Sequence, residues 1–309
     1  MVIQIFRKIF YVLVTRVLIL YLVVLAVLSM TVDLKMAVTV ASLRTLNRLM
    51  PPQLSTLNDI VADRKNINQK ELSVFQFYFE KVTELMPQMA DAFGLYGFCS
   101  YYLGKHKKAI TAYQKAIELN PAFFWFYHNL GIIYFKEGRY EEAARMFEAA
   151  LGTKPEYAGM FIGSSTKMYI PILLKNVGNI KIFINSQFKR GFSYVQLLLI
   201  LSQYQLKNYA MMLKYALFAA QSNLYGGGIF YYYSGLASYE LKDYPKAAIL
   251  FEEAIKRKKE FSEAYQYLGL TMQALGKTDA GKEILNIYQD LNKLGPTLPD
   301  PREIELEIY

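Results

Sequence analysis

The chain has 309 residues, of which 53% are apolar and 20% are charged, with a formal net charge of +9. A single cysteine excludes an internal disulfide framework, and a chain of this length can bury a large core without one. Residues 1–52 hold six Lys and Arg against one Asp, whereas basic and acidic residues alternate in the rest of the chain. This distribution is typical of solvated helical faces, so nucleic-acid binding is not predicted.

The first predicted element is a membrane-spanning helix at residues 9–30, which follows a short basic tail at residues 1–8. Its 22 residues carry one charge, Arg16, and are enough to cross about 30 Å of hydrocarbon. Arg16 costs about 3 kcal/mol at mid-bilayer, whereas the apolar residues of the segment contribute about 7 kcal/mol in total. An alternative is a cleaved signal sequence with its core at residues 17–30. Retention is favoured because no clean small-X-small cleavage site follows before Asp33.

The orientation of this helix is not fixed by charge, because Arg7, Lys8 and Arg16, which lies in its first half, balance Lys35, Arg44 and Arg48 on the other side. A very short N-terminal tail favours a single-pass topology with the body on the non-cytoplasmic (periplasmic) side. Residues 31–52 then form a predicted amphipathic helix that Pro51 and Pro52 end. We expect it to lie on the bilayer or on the next domain; a docking helix for another membrane subunit is the alternative.

The strongest pattern in the chain is a repeat with a period of 34 residues. Gly97, Ala109, Tyr113, Ala116 and Pro121 recur at this offset as Gly131, Ala143, Phe147, Ala150 and Pro155, and Gly235, Ala247, Phe251 and Ala254 keep the same spacing. From about residue 56 to residue 295 the chain resembles the tetratricopeptide repeat family, which has two antiparallel helices in each repeat. The resemblance implies an all-α fold, a right-handed superhelical solenoid of six to seven units within residues 53–295.

The repeat register predicts where each unit begins. The predicted starts are Ala90, Phe124, Ala158, Ser193, Gly228 and Ser262, with a half unit at residues 70–87 before them. Within a unit, Gly131 and Ala143 should let two helices approach closely. In the aromatic run at residues 123–127, we expect Tyr127 in the core and Trp125 in a groove.

Two segments depart from the regular pattern. The unit at residues 158–192 has Ser165 and Val177 at the usual glycine and alanine positions, and its alternating isoleucines are typical of a strand. We predict a distorted helical pair there, because the units on both sides stay in register. The C-terminal tail at residues 296–309 is either frayed or an acidic strand that docks on a basic partner or into a groove.

The resemblance also implies which residues bind a partner, because peptide-binding members of the family use fixed positions of each first helix to line a concave face. Carried onto this chain, these positions are Phe98, Tyr101, Tyr102, Trp125, His128, Phe135, Lys136, Tyr194, Tyr204, Tyr232, Tyr239 and Glu240. The set is aromatic and contains no match to the Lys/Arg carboxylate clamp of some relatives. Acidic chain ends are therefore not predicted as ligands.

Catalysis has little support in the sequence. His106 and His128 are the only histidines, and Cys99 has neither a nucleophile context nor a second ligand at metal-binding spacing. We therefore predict no enzyme activity, no cofactor and no metal. The predicted function is a membrane-tethered scaffold that binds protein partners, such as subunits of an envelope membrane complex, during its assembly or organisation. The alternative is a binding protein whose aromatic groove holds a lipid or a saccharide.

Overall fold

The computed structural model describes residues 68–153, 194–222 and 227–293, together with isolated helical positions at 24, 27, 38, 39, 41, 42 and 45. Within these ranges the regular structure is all α-helical, as predicted. Apart from the isolated positions, the predicted helices at 9–30 and 31–52, the unit at 158–192 and the tail at 296–309 lie outside the described residues. None of the helices that are described is long and apolar enough to span a bilayer.

The chain divides into two compact units, Met1–Gln88 and Met89–Tyr309. In the first unit the structure describes helix α1, Gln69–Leu85, which corresponds to the predicted half unit. Asn68 caps this helix, because its side-chain oxygen accepts from the backbone N–H groups of Lys70 and Glu71 at 3.1 and 3.3 Å. The helix ends just before Pro87, which disfavours helical geometry in the residue that precedes it.

The second unit is a series of paired helices. They are α2 (Ala90–Tyr102), α3 (His106–Leu119), α4 (Phe124–Lys136), α5 (Tyr140–Gly152), α6 (194–205, the described part), α7 (Tyr209–Ser222), α8 (Gly227–Glu240), α9 (Tyr244–Arg257), α10 (Ser262–Ala274) and α11 (Thr278–Asn292). Helices pack within the pairs α2–α3, α4–α5, α8–α9 and α10–α11, and neighbouring pairs are joined by α3–α4, α7–α8 and α9–α10 contacts. The predicted starts Ala90, Phe124 and Ser262 are helix starts, and Gly228 follows the start of α8 by one residue.

A glycine on the first helix of a pair faces a large side chain on the second. A Cβ atom built on Gly131 would lie 2.6 Å from Cε1 of Phe147, and one on Gly235 would lie 2.7 Å from Cε1 of Phe251. At Gly97 the corresponding distance to Cε2 of Tyr113 is 3.1 Å. The three glycines therefore have equivalent surroundings, and the predicted close approach of the paired helices is confirmed.

The pair α6–α7 reverses this arrangement of large and small residues. At the positions equivalent to Gly235 and Phe251, the repeat register places Ile200 and Ala216. Both residues are fully buried. At these positions the large side chain thus belongs to the first helix and the small one to the second, the opposite of the arrangement at Gly235 and Phe251.

In each described turn between paired helices, one residue adopts the left-handed region, at the same repeat position. These residues are Gly104, Gly138, Lys207, Lys242 and Gly276, with φ of 72°, 74°, 55°, 62° and 77°. The backbone N–H of Lys242 donates to the carbonyl of Tyr239, and that of Asp243 donates to the carbonyl of Ser238, both at 2.9 Å. These bonds satisfy carbonyls at the end of α8, so the turn requires this conformation even where the residue is not glycine.

Replacing Lys242 by glycine should therefore stabilise the protein by about 0.5–1 kcal/mol. A left-handed conformation costs an L-residue roughly 1–2 kcal/mol, and the larger unfolded-state entropy of glycine offsets part of that gain. Lys242 is exposed, so little packing is lost. The free energy of unfolding in urea measures the effect. The matched variant Gly138→Lys should lose a similar amount of unfolding free energy. A Lys242→Gly variant that is no more stable than the parent would show that the left-handed conformation does not strain Lys242.

Candidate functional site

The predicted partner-binding positions follow one face of the first helices of successive pairs, here called the first-helix face. The side chains of Phe98, Trp125, His128, Phe135 and Tyr232 are buried, those of Tyr101, Tyr102, Tyr194, Tyr204 and Tyr239 are half-buried, and Lys136 and Glu240 are exposed. The surface that a partner could contact comes mainly from the half-buried tyrosines and the two charged residues. The role of the set in binding remains a prediction.

Helix α4 explains the aromatic run at residues 123–127, because eleven of its thirteen residues are buried. The ring of Phe126 lies against Gly94 of α2. Trp125, expected in a groove, is only 7% exposed and packs edge-on against Phe124 at a centroid distance of 5.0 Å. Tyr127, expected in the core, is half-buried, because its hydroxyl donates to the carbonyl of Pro121 at 3.0 Å near the helix start. The expectation for Tyr127 was therefore wrong.

At the α2–α4 end of the first-helix face, Lys136 interacts with Tyr101. The ammonium of Lys136 donates to the hydroxyl of Tyr101 at 2.7 Å and lies 5.4 Å from the centroid of its ring. The imidazole of His106 stacks on the same ring, with the centroids 5.3 Å apart. Desolvation lowers the pKa of Lys136, and burial raises the pKa of Tyr101. At this end of the face, the cation that contacts Tyr101 is therefore a residue of the protein itself, Lys136.

His128 lies in the middle of the described part of the face and is fully buried. Its ring is surrounded by the rings of Phe124, Trp125 and Tyr194, at centroid distances of 5.8, 5.1 and 6.1 Å. Nδ1 is 3.0 Å from Oδ1 of Asn129; because this oxygen can only accept, Nδ1 carries the proton and donates. Burial lowers the pKa of His128 to about 4, although the bond to Asn129 opposes the shift. The imidazole is therefore neutral near pH 7.

At the opposite end, tyrosines from three repeats come together. We call Tyr204, Tyr209, Tyr239 and Tyr267, all half-buried, the tyrosine cluster. The ring centroids of Tyr239 and Tyr267 are 5.6 Å apart, and those of Tyr204 and Tyr209 are 6.5 Å apart. The buried Tyr232 lies behind them, with its centroid 6.1 Å from that of Tyr267.

A carboxylate, that of Glu240, lies near the tyrosine cluster. Burial raises the pKa of Tyr267, and the nearby acidic groups Tyr204, Glu240, Tyr239 and Tyr209 raise it further. The pKa of Tyr209 is raised by burial and then by the charge of the nearby Glu240 carboxylate. Tyr209 and Tyr267 therefore stay protonated at neutral pH, and Glu240 supplies a negative charge beside them.

Three residues near this end were missed by the sequence analysis. Glu263, half-buried on α10, occupies the repeat position of Trp125, and carrying the family pattern into the unit that begins at Ser262 would have found it. Tyr209 and Tyr267 are not at partner-binding positions of the family, so no sequence signal identified them. They join the face only because α7 and α10 bring their rings beside α6 and α8.

The described residues contain no group of three or more His, Cys, Asp and Glu side chains that could hold a metal ion. Cys99 is fully buried, and burial raises the pKa of its thiol.

Comparison with known proteins identifies the repeats. A profile described as TPR repeat matches residues 100–138, and one described as Tetratricopeptide repeat matches residues 124–157. Residues 100–157 therefore match tetratricopeptide repeats. It is 24% identical over 254 residues to the TPR repeat-containing protein MJ1428 of Methanocaldococcus jannaschii, a match that covers 79% of this chain. The chain spans only 40% of the length of that relative.

Solved structures of tetratricopeptide proteins share this fold. YrrB, described as a TPR protein with an unusual peptide-binding site, aligns with a TM-score of 0.50 at 19% identity, covering 70% of this chain and 92% of YrrB. The C-terminal part of a TPR repeat-containing protein from Cytophaga hutchinsonii aligns with a TM-score of 0.51 at 14% identity, covering 74% and 76%. At these identities the likeness is one of fold, and it agrees with the predicted all-α, tetratricopeptide-like solenoid.

Proposed function

We propose that this protein is a non-enzymatic scaffold that binds protein partners through its first-helix face. The observation that carries the proposal is the row of half-buried tyrosines, including Tyr101, Tyr102, Tyr204 and Tyr239, on first helices of different repeats. Tyrosine offers a large contact area with few rotors to immobilise and a hydroxyl for hydrogen bonding, which suits protein recognition. Tetratricopeptide proteins generally mediate protein–protein interaction. YrrB, which has a similar fold, is described as having a peptide-binding site.

We further propose that residues 9–30 tether this scaffold to a membrane, with the repeats on the non-cytoplasmic side, where it assembles or organises an envelope complex. The support is the apolar segment of 22 residues with a single charge. Confinement to the bilayer would raise the effective concentration of the scaffold near other membrane subunits. Protease digestion of sealed vesicles of known orientation tests the topology; digestion of the repeats from the cytoplasmic face would overturn it.

The double variant Tyr204→Ala/Tyr239→Ala should lose partner capture while its helicity stays unchanged. Both side chains are half-buried and contribute contact surface, whereas the buried Trp125 and Tyr232 would disturb the core if truncated. Capture is measured by cross-linking the detergent-extracted full chain to its partners, followed by mass spectrometry, with circular dichroism for the fold.

The matched control for this experiment is Tyr288→Ala, which removes a half-buried tyrosine from α11, a second helix of its pair. It should keep full capture. Undiminished capture by a folded Tyr204→Ala/Tyr239→Ala variant would refute the first-helix face as the binding surface. A bound lipid or saccharide in native mass spectra, without any stoichiometric polypeptide, would refute the scaffold function itself.

A further inference from the structure

The two ends of the first-helix face carry opposite charges at one repeat position. Lys136, in α4, and Glu240, in α8, are both the thirteenth residue of their units. In the α2–α4 end, Lys136 reaches the tyrosine at position twelve of the preceding unit, Tyr101, at 2.7 Å from its hydroxyl. The chain therefore contains its own example of a cation placed against a tyrosine of this face.

In the C-terminal half, the same register places different residues beside the equivalent tyrosines. Tyr204 is at position twelve of its unit. At position thirteen of the following unit, where α4 has Lys136, the chain has the carboxylate of Glu240. Tyr239 is also at position twelve. The residue at position thirteen of the following unit is Ala274, which is exposed and carries no charge. The internal cation is thus replaced once by an anion and once by a small residue.

The tyrosine cluster keeps the features that favour a cation. Tyr239 packs edge to face against Tyr267, with the ring centroids 5.6 Å apart, and against Tyr244, which flanks the cluster, at 5.5 Å. The rings are half-buried, so part of each stays accessible. Glu240 follows Tyr239 at the exposed end of α8 and is close enough to Tyr209 for its charge to raise the pKa of that phenol. Aromatic faces attract ammonium and guanidinium groups through the ring quadrupole, and a neighbouring carboxylate adds Coulomb attraction.

We infer that the tyrosine cluster and Glu240 form a subsite for a Lys or Arg side chain of the protein partner. The inference rests on the proposed function and adds the chemistry of the partner: a segment that carries a basic residue where it crosses α6, α8 and α10. The whole chain has a net charge of +9, so long-range electrostatics disfavour a basic segment. The attraction must therefore be local, which makes it sensitive to single substitutions.

The test uses three fluorescent peptides of identical length, (Gly-Ser-Arg)4, (Gly-Ser-Gln)4 and (Gly-Ser-Glu)4, and the detergent-extracted full chain. Binding is measured by fluorescence anisotropy at low and high salt. The arginine peptide should bind about tenfold more tightly than the glutamine peptide, and the difference should shrink in high salt. The glutamate peptide should bind most weakly.

Variants locate the subsite. Glu240→Gln should weaken binding of the arginine peptide by about threefold to tenfold, because the carboxylate is lost while its shape is kept. Tyr239→Leu should weaken it more than Tyr239→Phe, which keeps the aromatic face. The matched control Glu252→Gln, an exposed carboxylate on α9, should leave binding unchanged. Circular dichroism checks that each variant keeps its helicity.

Three outcomes would overturn the inference. The first is equal binding of the arginine and glutamine peptides, or of the parent chain and Glu240→Gln. The second is no measurable binding of any peptide. The third is self-association in sedimentation experiments that Glu240→Lys abolishes, because a second copy of the chain would then occupy the subsite. None of these removes the proposed function, which fails separately if Tyr204→Ala/Tyr239→Ala retains partner capture.

Discussion

Replacing Gly235 by isoleucine should destabilise the protein by about 3 kcal/mol, because the new side chain has no room. A Cβ atom at this position would already lie 2.7 Å from Cε1 of Phe251 and 2.8 Å from its Cδ1. The ring of Phe251 is fully buried, and its centroid is 6.0 Å from that of Tyr232 and 5.9 Å from that of Tyr267. It cannot move aside without displacing both tyrosines.

The variant Phe251→Ala should lose about 3–5 kcal/mol for the opposite reason, since it leaves a cavity beside Gly235. The double variant Gly235→Ile/Phe251→Ala should be more stable than the sum of the two losses predicts, by about 1–3 kcal/mol. The isoleucine then occupies the space of the missing ring. The pair α6–α7 already uses this combination, with Ile200 and Ala216 at the equivalent positions.

Urea denaturation followed by circular dichroism measures the four free energies of unfolding in this cycle. Ile249→Ala, on the exposed side of α9, serves as a control that should be nearly neutral because its side chain is 66% exposed. If the losses in unfolding free energy caused by Gly235→Ile and Phe251→Ala simply add in the double variant, the proposed exchange of large and small residues is wrong.

Acidification should destabilise the fold through His128. Its folded-state pKa of about 4 lies below the ordinary value of 6.5. Above pH 6.5 both states hold a neutral ring, so the group has no effect. Between pH 6.5 and 4 the unfolded state takes up a proton that the folded state does not, and stability falls by up to about 3 kcal/mol.

The variant His128→Gln isolates this contribution, because glutamine does not titrate and its amide can still donate to Asn129. The measurement is the difference between the free energies of unfolding of the parent and the variant, taken from pH 7.5 down to pH 4. As the pH falls, the free energy of unfolding of the parent should decrease relative to that of His128→Gln. A constant difference across this interval would show that His128 does not titrate as its burial requires.

Taking the difference is necessary because Asp91 acts in the opposite direction. Burial raises the pKa of this carboxyl to about 6 from an ordinary value of 3.8. The folded state therefore binds the proton first, and stability rises as the pH falls through this interval. Asp91 keeps part of its surface exposed, so solvent reduces its contribution. The parent curve alone would show only the sum of the two effects.

The repeat register was accessible from the sequence because it depends on contacts at fixed spacing. Gly97, Gly131 and Gly235 each need an aromatic partner sixteen residues later, and this requirement leaves a visible period. The left-handed turn residues were less visible, because Lys207 and Lys242 adopt a conformation usually associated with glycine. There the carbonyls at the helix end, and not the residue type, require the conformation.

The sequence by itself determined the all-α architecture, the helix starts at Ala90, Phe124 and Ser262, and the close pairing at the glycines, because each follows from local propensity and a fixed register. The tertiary structure decided which side chains of the first-helix face remain accessible and which rings surround Glu240. Register fixes the direction in which a side chain leaves its own helix, whereas its exposure depends on the neighbouring helices that cover it. For this reason His128 is buried, Tyr239 remains available, and Tyr267 joins the cluster.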